Sequence, residues 1–287
     1  VSFLLQVLRI SGPYGLAALA GTFSEIGGVV NIALEGILLA GALGATLASY
    51  WTGSPWLGVL CGVLAGMLLS ALHAWASLRH RVDQIVSGLA CNFLAAGLCR
   101  FVLKLVFHST SNSARVDGPA DWGPIDPFLV LFFAAVALSQ WSVARTRFGL
   151  RLRAVGEHPK AAETLGISVL GMRLKGVLLS GALAGLGGAM LALEQHQFTD
   201  GMSGGRGYIA LAAVIFGQWT PLGAAGAALF FGLAEASQIL LQAHGVQIPT
   251  QFVQLLPYAL TLAAVAGVVG RSRPPAADGV PYSPEQE

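Results

Sequence analysis

Long apolar runs, repeated from one end of the chain to the other, constrain this sequence more than any other feature. Residues 3–23, 26–50, 55–78, 84–107, 125–144, 174–194, 221–242 and 251–270 are such runs, nearly free of charge. A hydrocarbon core about 30 Å thick is crossed by about 20 helical residues. A further stretch, Gly207 to Trp219, is too short for a full crossing and ends in Gln218-Trp219-Thr220-Pro221-Leu222-Gly223, so it reads as a half-helix. Charge agrees. Only 10% of the 287 residues are charged, against about 25% in soluble domains, and mean hydropathy is +0.69. The surface must therefore face lipid, and the predicted fold is all-α: a polytopic integral membrane protein of about 8–10 transmembrane helices, some broken or half-length. A net charge of +2 gives no field for nucleic acid. Cys61, Cys91 and Cys99 lie in apolar runs without metal-ligand spacing and read as core filler, so no metal is expected.

Cations set the orientation, because positively charged loops stay in the cytoplasm. Arg79 and Arg81 form one group, the seven cations between Arg145 and Lys175 a second, and Arg271 with Arg273 a third, while Asp117, Asp121, Asp126 and Asp200 fall on the opposite side. The segment from 174 to 270 must then cross an even number of times, which makes Gly207–Trp219 a true, if short, crossing. Nine crossings put residue 1 outside unless the polar stretch near Glu25 adds a turn. The first run carries Arg9 but has neither a basic start nor a small-residue cleavage site, so it reads as a span. The expected organisation is a transmembrane domain over 1–270 and a polar cytoplasmic tail over 271–287. Gly58-xxx-Gly62-xxx-Gly66 and Gly181-xxx-Gly185 supply small-residue faces for close helix packing.

Polar groups at membrane depth are costly, by about 2.5–3.5 kcal/mol for a central acid, and must face protein or water. The second run holds Glu25, Asn31 and Glu35. Asn31 and Glu35, four apart, are expected on one helical face, and Gly27-Gly28 and Gly36 allow the helix to break beside a cavity. Ser87, Asn92 and the neighbouring Phe93 lie in the fourth run, and Glu235 in the run 221–242. These seven residues are candidates for lining a translocation path; helix–helix cross-linking is the alternative, above all for Asn92. His196, in an outer Gly-rich stretch, is a weak signal for any metal or catalytic role.

The cytoplasmic stretch 145–175 is the most ordered in pattern. Pro159 suits a first helical position, Ala161 and Ala162 favour the helix, and Gly166 suits a left-handed stop, which predicts about two helical turns over 157–166. So short a helix needs a partner surface.

Four stretches now carry a resemblance: Glu25 to Gly36; Asp83-Gln-Ile-Val-Ser-Gly-Leu-Ala-Cys-Asn92; Arg153-Ala-Val-Gly-Glu-His-Pro-Lys-Ala-Ala-Glu163 through Gly166-Ile167; and Gly201-Met-Ser-Gly-Gly-Arg-Gly-Tyr208 running into Pro221-Leu-Gly. In this order, over nearly the whole chain, the sequence resembles the permease subunit of a bacterial ATP-binding-cassette importer, in the family serving branched-chain amino acids, simple sugars and nucleosides, and most of all its nucleoside and simple-sugar branch. The resemblance implies that residues 157–166 are a coupling helix, with Arg153, Gly156, Glu157, Pro159, Ala161, Ala162, Glu163 and Gly166 as its ATPase-coupling residues. It also implies a second permease subunit, identical or related, a cytoplasmic ATPase, an extracytoplasmic binding protein or lipoprotein, and a place in the cytoplasmic (inner) membrane. His158 stands where the family more often has Asn.

An importer permease should lack its own nucleotide site. The three lysines, Lys104, Lys160 and Lys175, follow Leu103, Pro159 and Leu174, and none completes a Walker A motif, so the chain is expected to hold no cofactor, with ATP and Mg bound by the partner ATPase. HExxH is absent and no Cys and His pair sits at a telling spacing, which argues against an intramembrane enzyme. A branched-chain amino acid permease of the same family is one alternative. An ion-coupled secondary transporter using Glu35 or Glu235 is another, but it leaves the short cytoplasmic helix without a purpose.

Overall fold

The computed structural model describes residues 3–120, 126–243, 252, 255 and 273–283. The described residues form α1 (Phe3–Ile26), α2 (Leu34–Thr52), α3 (Pro55–Ala74, continued as a wider π-helical turn over Trp75–Arg79), α4 (Gln84–Phe107), α5 (Pro127–Arg145), α6 (Arg147–Glu157), α7 (Pro159–Thr164), α8 (Val169–Glu194), α9 (Arg206–Phe216) and α10 (Pro221–Ala243). Seven of these are long and apolar enough to cross a membrane. The chain is an all-α, multi-pass membrane protein. The predicted run 251–270 lies outside the described residues, apart from Phe252 and Leu255, as does Arg271 of the third cation group.

α1, α2 and α8 are the most buried helices, and α3, α4, α5 and α10 surround them with apolar faces exposed to lipid or to a partner. Close backbone approach holds the centre together. The two predicted glycine faces oppose each other: a Cβ on Gly66 would lie 2.5 Å from the Gly181 carbonyl oxygen, and one on Gly185 would lie 2.6 Å from that of Gly62. Gly41 of α2 joins them, its Cβ direction ending 2.5 Å from Gly185 O. Without water to drive helices together, such contacts maximise dispersion attraction along the seam.

Direction follows from the contacts. Arg9 pairs with Asp126 at the start of α5, while the carbonyl of Ile26 abuts Gly156 at the end of α6. α1 therefore runs from the side where α5 begins to the side where α6 ends, and residues 27–33 are a break between α1 and α2. α1 stops in a left-handed turn at Gly28, φ +82°, with Val29 N–H donating to Ser24 O and Gly28 N–H to Glu25 O. α2 restarts at Leu34. This corrects the expectation that Asn31 and Glu35 share a helical face: Asn31 lies in the break, because the turn at Gly28 ends one helix before the next begins.

α9, with 11 residues, spans only about 16 Å. The non-helical stretch 195–205 leads into it, tied to the segment after α4 by an Asn112–Thr199 bridge and to α4 by the Arg100–Asp200 ion pair.

Candidate functional site

A helix broken inside a membrane exposes backbone donors and acceptors to hydrocarbon, and each needs a partner. Polar side chains on α3 and α4 supply them at the 27–33 break. Val30 N–H donates to Gln84 Oε1 at 2.7 Å, and Val30 O lies 3.3 Å from His73 Nε2, whose Nδ1 is 3.1 Å from Ser87 Oγ. Asn92 does most. Its Oδ1 accepts from Gly36 N–H at 2.8 Å, and its Nδ2 donates to Ile32 O at 2.9 Å and to Tyr208 Oη at 3.0 Å. Asn31 is fully buried and donates to Ser180 Oγ on α8 at 3.0 Å, while its Oδ1 has no hydrogen-bond partner among the described residues.

The second carboxylate pins the half-helix. Glu35 Oε1 accepts from Ser203 Oγ–H at 2.6 Å and Gly205 N–H at 2.8 Å, and Oε2 accepts from Gly207 N–H at 2.8 Å. An anion at a helix N-terminus satisfies orphan donors and complements the dipole. From the other side, Arg206 donates to Glu235 Oε1 at 2.7 Å, lies over the Tyr14 ring, and Tyr14 O–H donates to Glu235 Oε2 at 2.6 Å. At the far end of α9, Trp219 Nε1–H donates to Glu25 Oε2 at 2.5 Å, across two consecutive residues with positive φ, Gln218 and Trp219.

Six of the seven candidate path residues are thus engaged within the chain: Glu25, Asn31, Glu35, Ser87, Asn92 and Glu235. Phe93 is apart from them, 77% exposed on the outer face of α4. Sequence reasoning missed His73, Tyr14, Arg206 and Tyr208. A histidine inside an apolar run and an arginine just before the short stretch Gly207–Trp219 were the available signals. His196 approaches the backbone of Gly118 and Val116 and holds the outer loop. A cavity of about 440 Å³ lies beside it, lined among others by Arg9, Asp126 and Arg206, and another of about 580 Å³ lies at the cytoplasmic end beside Trp219, Arg153 and Glu157.

After α5, α6 and α7 form a pair of short helices. α7 covers Pro159–Thr164, shorter than the predicted 157–166, because Gly166 at φ +77° closes it: Ile167 N–H donates to Ala162 O and Gly166 N–H to Glu163 O. The His158 side chain makes no cap hydrogen bond. The coupling candidates divide by direction. Gly156 and Ala162 are buried, Gly156 so tightly that a Cβ would lie 2.0 Å from Ile26 O. Arg153, Glu157, Ala161, Glu163 and Gly166 are exposed, Pro159 is half-buried, and Leu165, which the sequence reading did not single out, is 80% exposed.

This architecture of broken helices and a short connecting helix has relatives. A solved chain, an inward-facing conformation of a metal-chelate type ABC transporter, matches with a TM-score of 0.52 at 18% identity, covering 93% of this chain and 84% of that one, which shows the fold. The guanosine ABC transporter permease protein NupQ of Bacillus subtilis is 41% identical over 96% of this chain and 94% of its own length. The nucleoside ABC transporter permease protein NupC of Lactococcus lactis is 40% identical over 96% of this chain and 95% of its own. The family described as branched-chain amino acid transport system / permease component matches residues 3–265, and the chain belongs to that family.

Proposed function

We propose that this chain is the membrane permease subunit of a nucleoside importer in the bacterial inner membrane, driven by a separate ATP-binding-cassette ATPase. The observation that carries this reading is full-length similarity, near 40% identity, to two permeases named for guanosine and nucleoside transport. The chain does no covalent chemistry of its own. ATP and Mg are held by the ATPase, a second permease subunit completes the path, and an extracytoplasmic binding protein delivers the ligand.

Alternating access then works as follows. The exposed surface of α7, with Ala161, Leu165 and Gly166, seats in the ATPase, while buried Gly156 and Ala162 carry its movement to the inner ends of α1 and α8. Asn31, Ser87 and Asn92 keep the break between α1 and α2 intact, and Glu35 and Glu235 hold α9 against α2 and α10. Glu25 fixes the turn after α9. These residues position the broken segments that border the path, and Phe93, exposed at the level of the break, meets the nucleobase.

Uptake by the complete importer in proteoliposomes tests the reading. ATP-dependent accumulation of guanosine that is displaced by other nucleosides, and not by glucose or leucine, is expected, with Phe93→Ala raising the half-saturating concentration several-fold. Accumulation of glucose or leucine in place of nucleosides contradicts it.

A further inference from the structure

Resting on the reading of α7 as the ATPase-facing peg, we propose that residues 276–282 form a strap that fixes this peg to the interior of the membrane domain, with Arg173 as its anchor. The sequence offers these residues as a polar tail. Their contacts are those of a built element.

The Arg173 side chain is among the most fully buried in the chain, near the start of α8. Its guanidinium donates Nη1–H to Val280 O at 2.8 Å and Nη2–H to Ala277 O at 3.3 Å, and it lies 6.0 Å from the centroid of the Tyr282 ring. The hydrogen-bond partners of this buried cation thus come from the tail. The tail in turn reaches three other elements. Ala277 N–H donates to Gly156 O at 2.8 Å, Ala276 N–H donates to Glu157 Oε2 at 3.3 Å, and Tyr282 O–H donates to Glu163 Oε2 on α7. Ala277 is also lodged against the turn that ends α1: a Cβ on Gly28 would lie 3.0 Å from Ala277 O and 2.8 Å from Arg173 Nη2. One short segment therefore touches the stop of α1, the end of α6, the peg and α8.

A peg of six residues cannot transmit a push unless it is held at more than its two chain ends, because so short a helix is unstable alone. Burial of Ala162 supplies one hold. The Tyr282–Glu163 hydrogen bond supplies a second, on the exposed side of the helix, and ties it through the tail and Arg173 to the α1–α2 break. Tyr282 and Glu163 are positioning residues: they touch no ligand, and they make the peg and the break move as one body. The Tyr282 hydroxyl, pushed up to about 12 by desolvation and by Glu163, stays a donor at neutral pH.

The test separates positioning from folding. Tyr282→Phe keeps the ring beside Arg173 and removes only the hydroxyl. In the complete importer reconstituted in vesicles, it is expected to lower nucleoside moved per ATP hydrolysed about fivefold, the equivalent of one lost hydrogen bond, with the amount of assembled complex unchanged. Glu163→Gln, which keeps an acceptor oxygen, is expected to restore most of the loss seen in Glu163→Ala. Normal transport per ATP in assembled Tyr282→Phe overturns the strap. Spin labels at Thr164→Cys and Val280→Cys give a second readout: one distance distribution in nucleotide-free and ATP-trapped states supports a single body, and separation of the two positions overturns it. Leu165→Asp, on the ATPase-facing surface, distinguishes the two levels of the argument. If it abolishes uptake while Tyr282→Phe is silent, only the strap fails; if Leu165→Asp is also silent, the reading of α7 fails.

Discussion

Asn92 shows what a single polar residue does at membrane depth. It satisfies Gly36 N–H and Ile32 O, two backbone groups that the break between α1 and α2 leaves in an apolar surround. Asn92→Leu strands both, at about 1–3 kcal/mol each, so the purified permease should lose about 2–6 kcal/mol of stability. Tyr208→Phe leaves the Asn92–Ile32 bond in place and should cost under about 1.5 kcal/mol. Phe93→Ala, on the exposed face of the same helix, should stay within about 0.5 kcal/mol. Thermal unfolding of the three variants in one detergent checks the order; equal midpoints would mean that Asn92 does not hold the break. At this scale the sequence marks the residue and hides its partner. An amide deep in an apolar run must be satisfied, but its partners are backbone atoms 56 and 60 positions away, and only the fold brings them close. Glu35 behaves likewise: its cost in hydrocarbon is legible, whereas its place at the N-terminus of α9 depends on how residues 195–205 descend.

Helix extents follow closely from the apolar runs where lipid and length dictate them, and less closely where glycine intervenes. α4, α10, and α3 taken with its π-helical turn lie within a residue of their predicted ends, because Pro55 and Pro221 open two of them and Asp83 caps the third. The run 26–50 instead contains the Gly28 turn and yields a helix only from Leu34. The tail was legible as polar and no more, since the hydrogen bonds that order it go to a buried arginine of another element. One of its residues gives a pH signature. Burial pushes the Asp278 carboxyl up to about 7 against an ordinary 3.8, despite the opposing pull of Gly279 N–H and Arg173, and Glu25 faces it from α1. An acid with a raised value in the docked state binds its proton more tightly there than in a released tail. Docking is therefore strongest in acid, weakens as pH rises from about 4 to about 7, and levels off above that. A spin label at position 280 should gain mobility across that window, and Asp278→Asn should remove the dependence. A label whose mobility rises only above pH 8 would contradict the assignment.

The whole molecule divides into a rigid seam and two discontinuous crossings. The glycine contacts of α2, α3 and α8 leave no room for sliding along their seam, and the discontinuous elements lie outside it: the break at 27–33, α9 with its non-helical approach, and the α6–α7 pair. These meet at the cytoplasmic end, where Gly156 touches Ile26 and Trp219 binds Glu25. A push on α7, as proposed above, would arrive where these discontinuous segments meet. Class was legible because hydropathy acts over long stretches; the division of the candidate coupling segment into buried Gly156 and Ala162 and exposed Ala161 and Leu165 was not, because it depends on how α7 sits against α8. The most direct measurement is nucleoside uptake by vesicles containing the complete importer with Ala161→Glu, a change on the exposed face of α7 that leaves the packed face untouched. Uptake at background level, with the permease folded and paired with its second subunit, is the predicted result; uptake at the unmodified rate would contradict it.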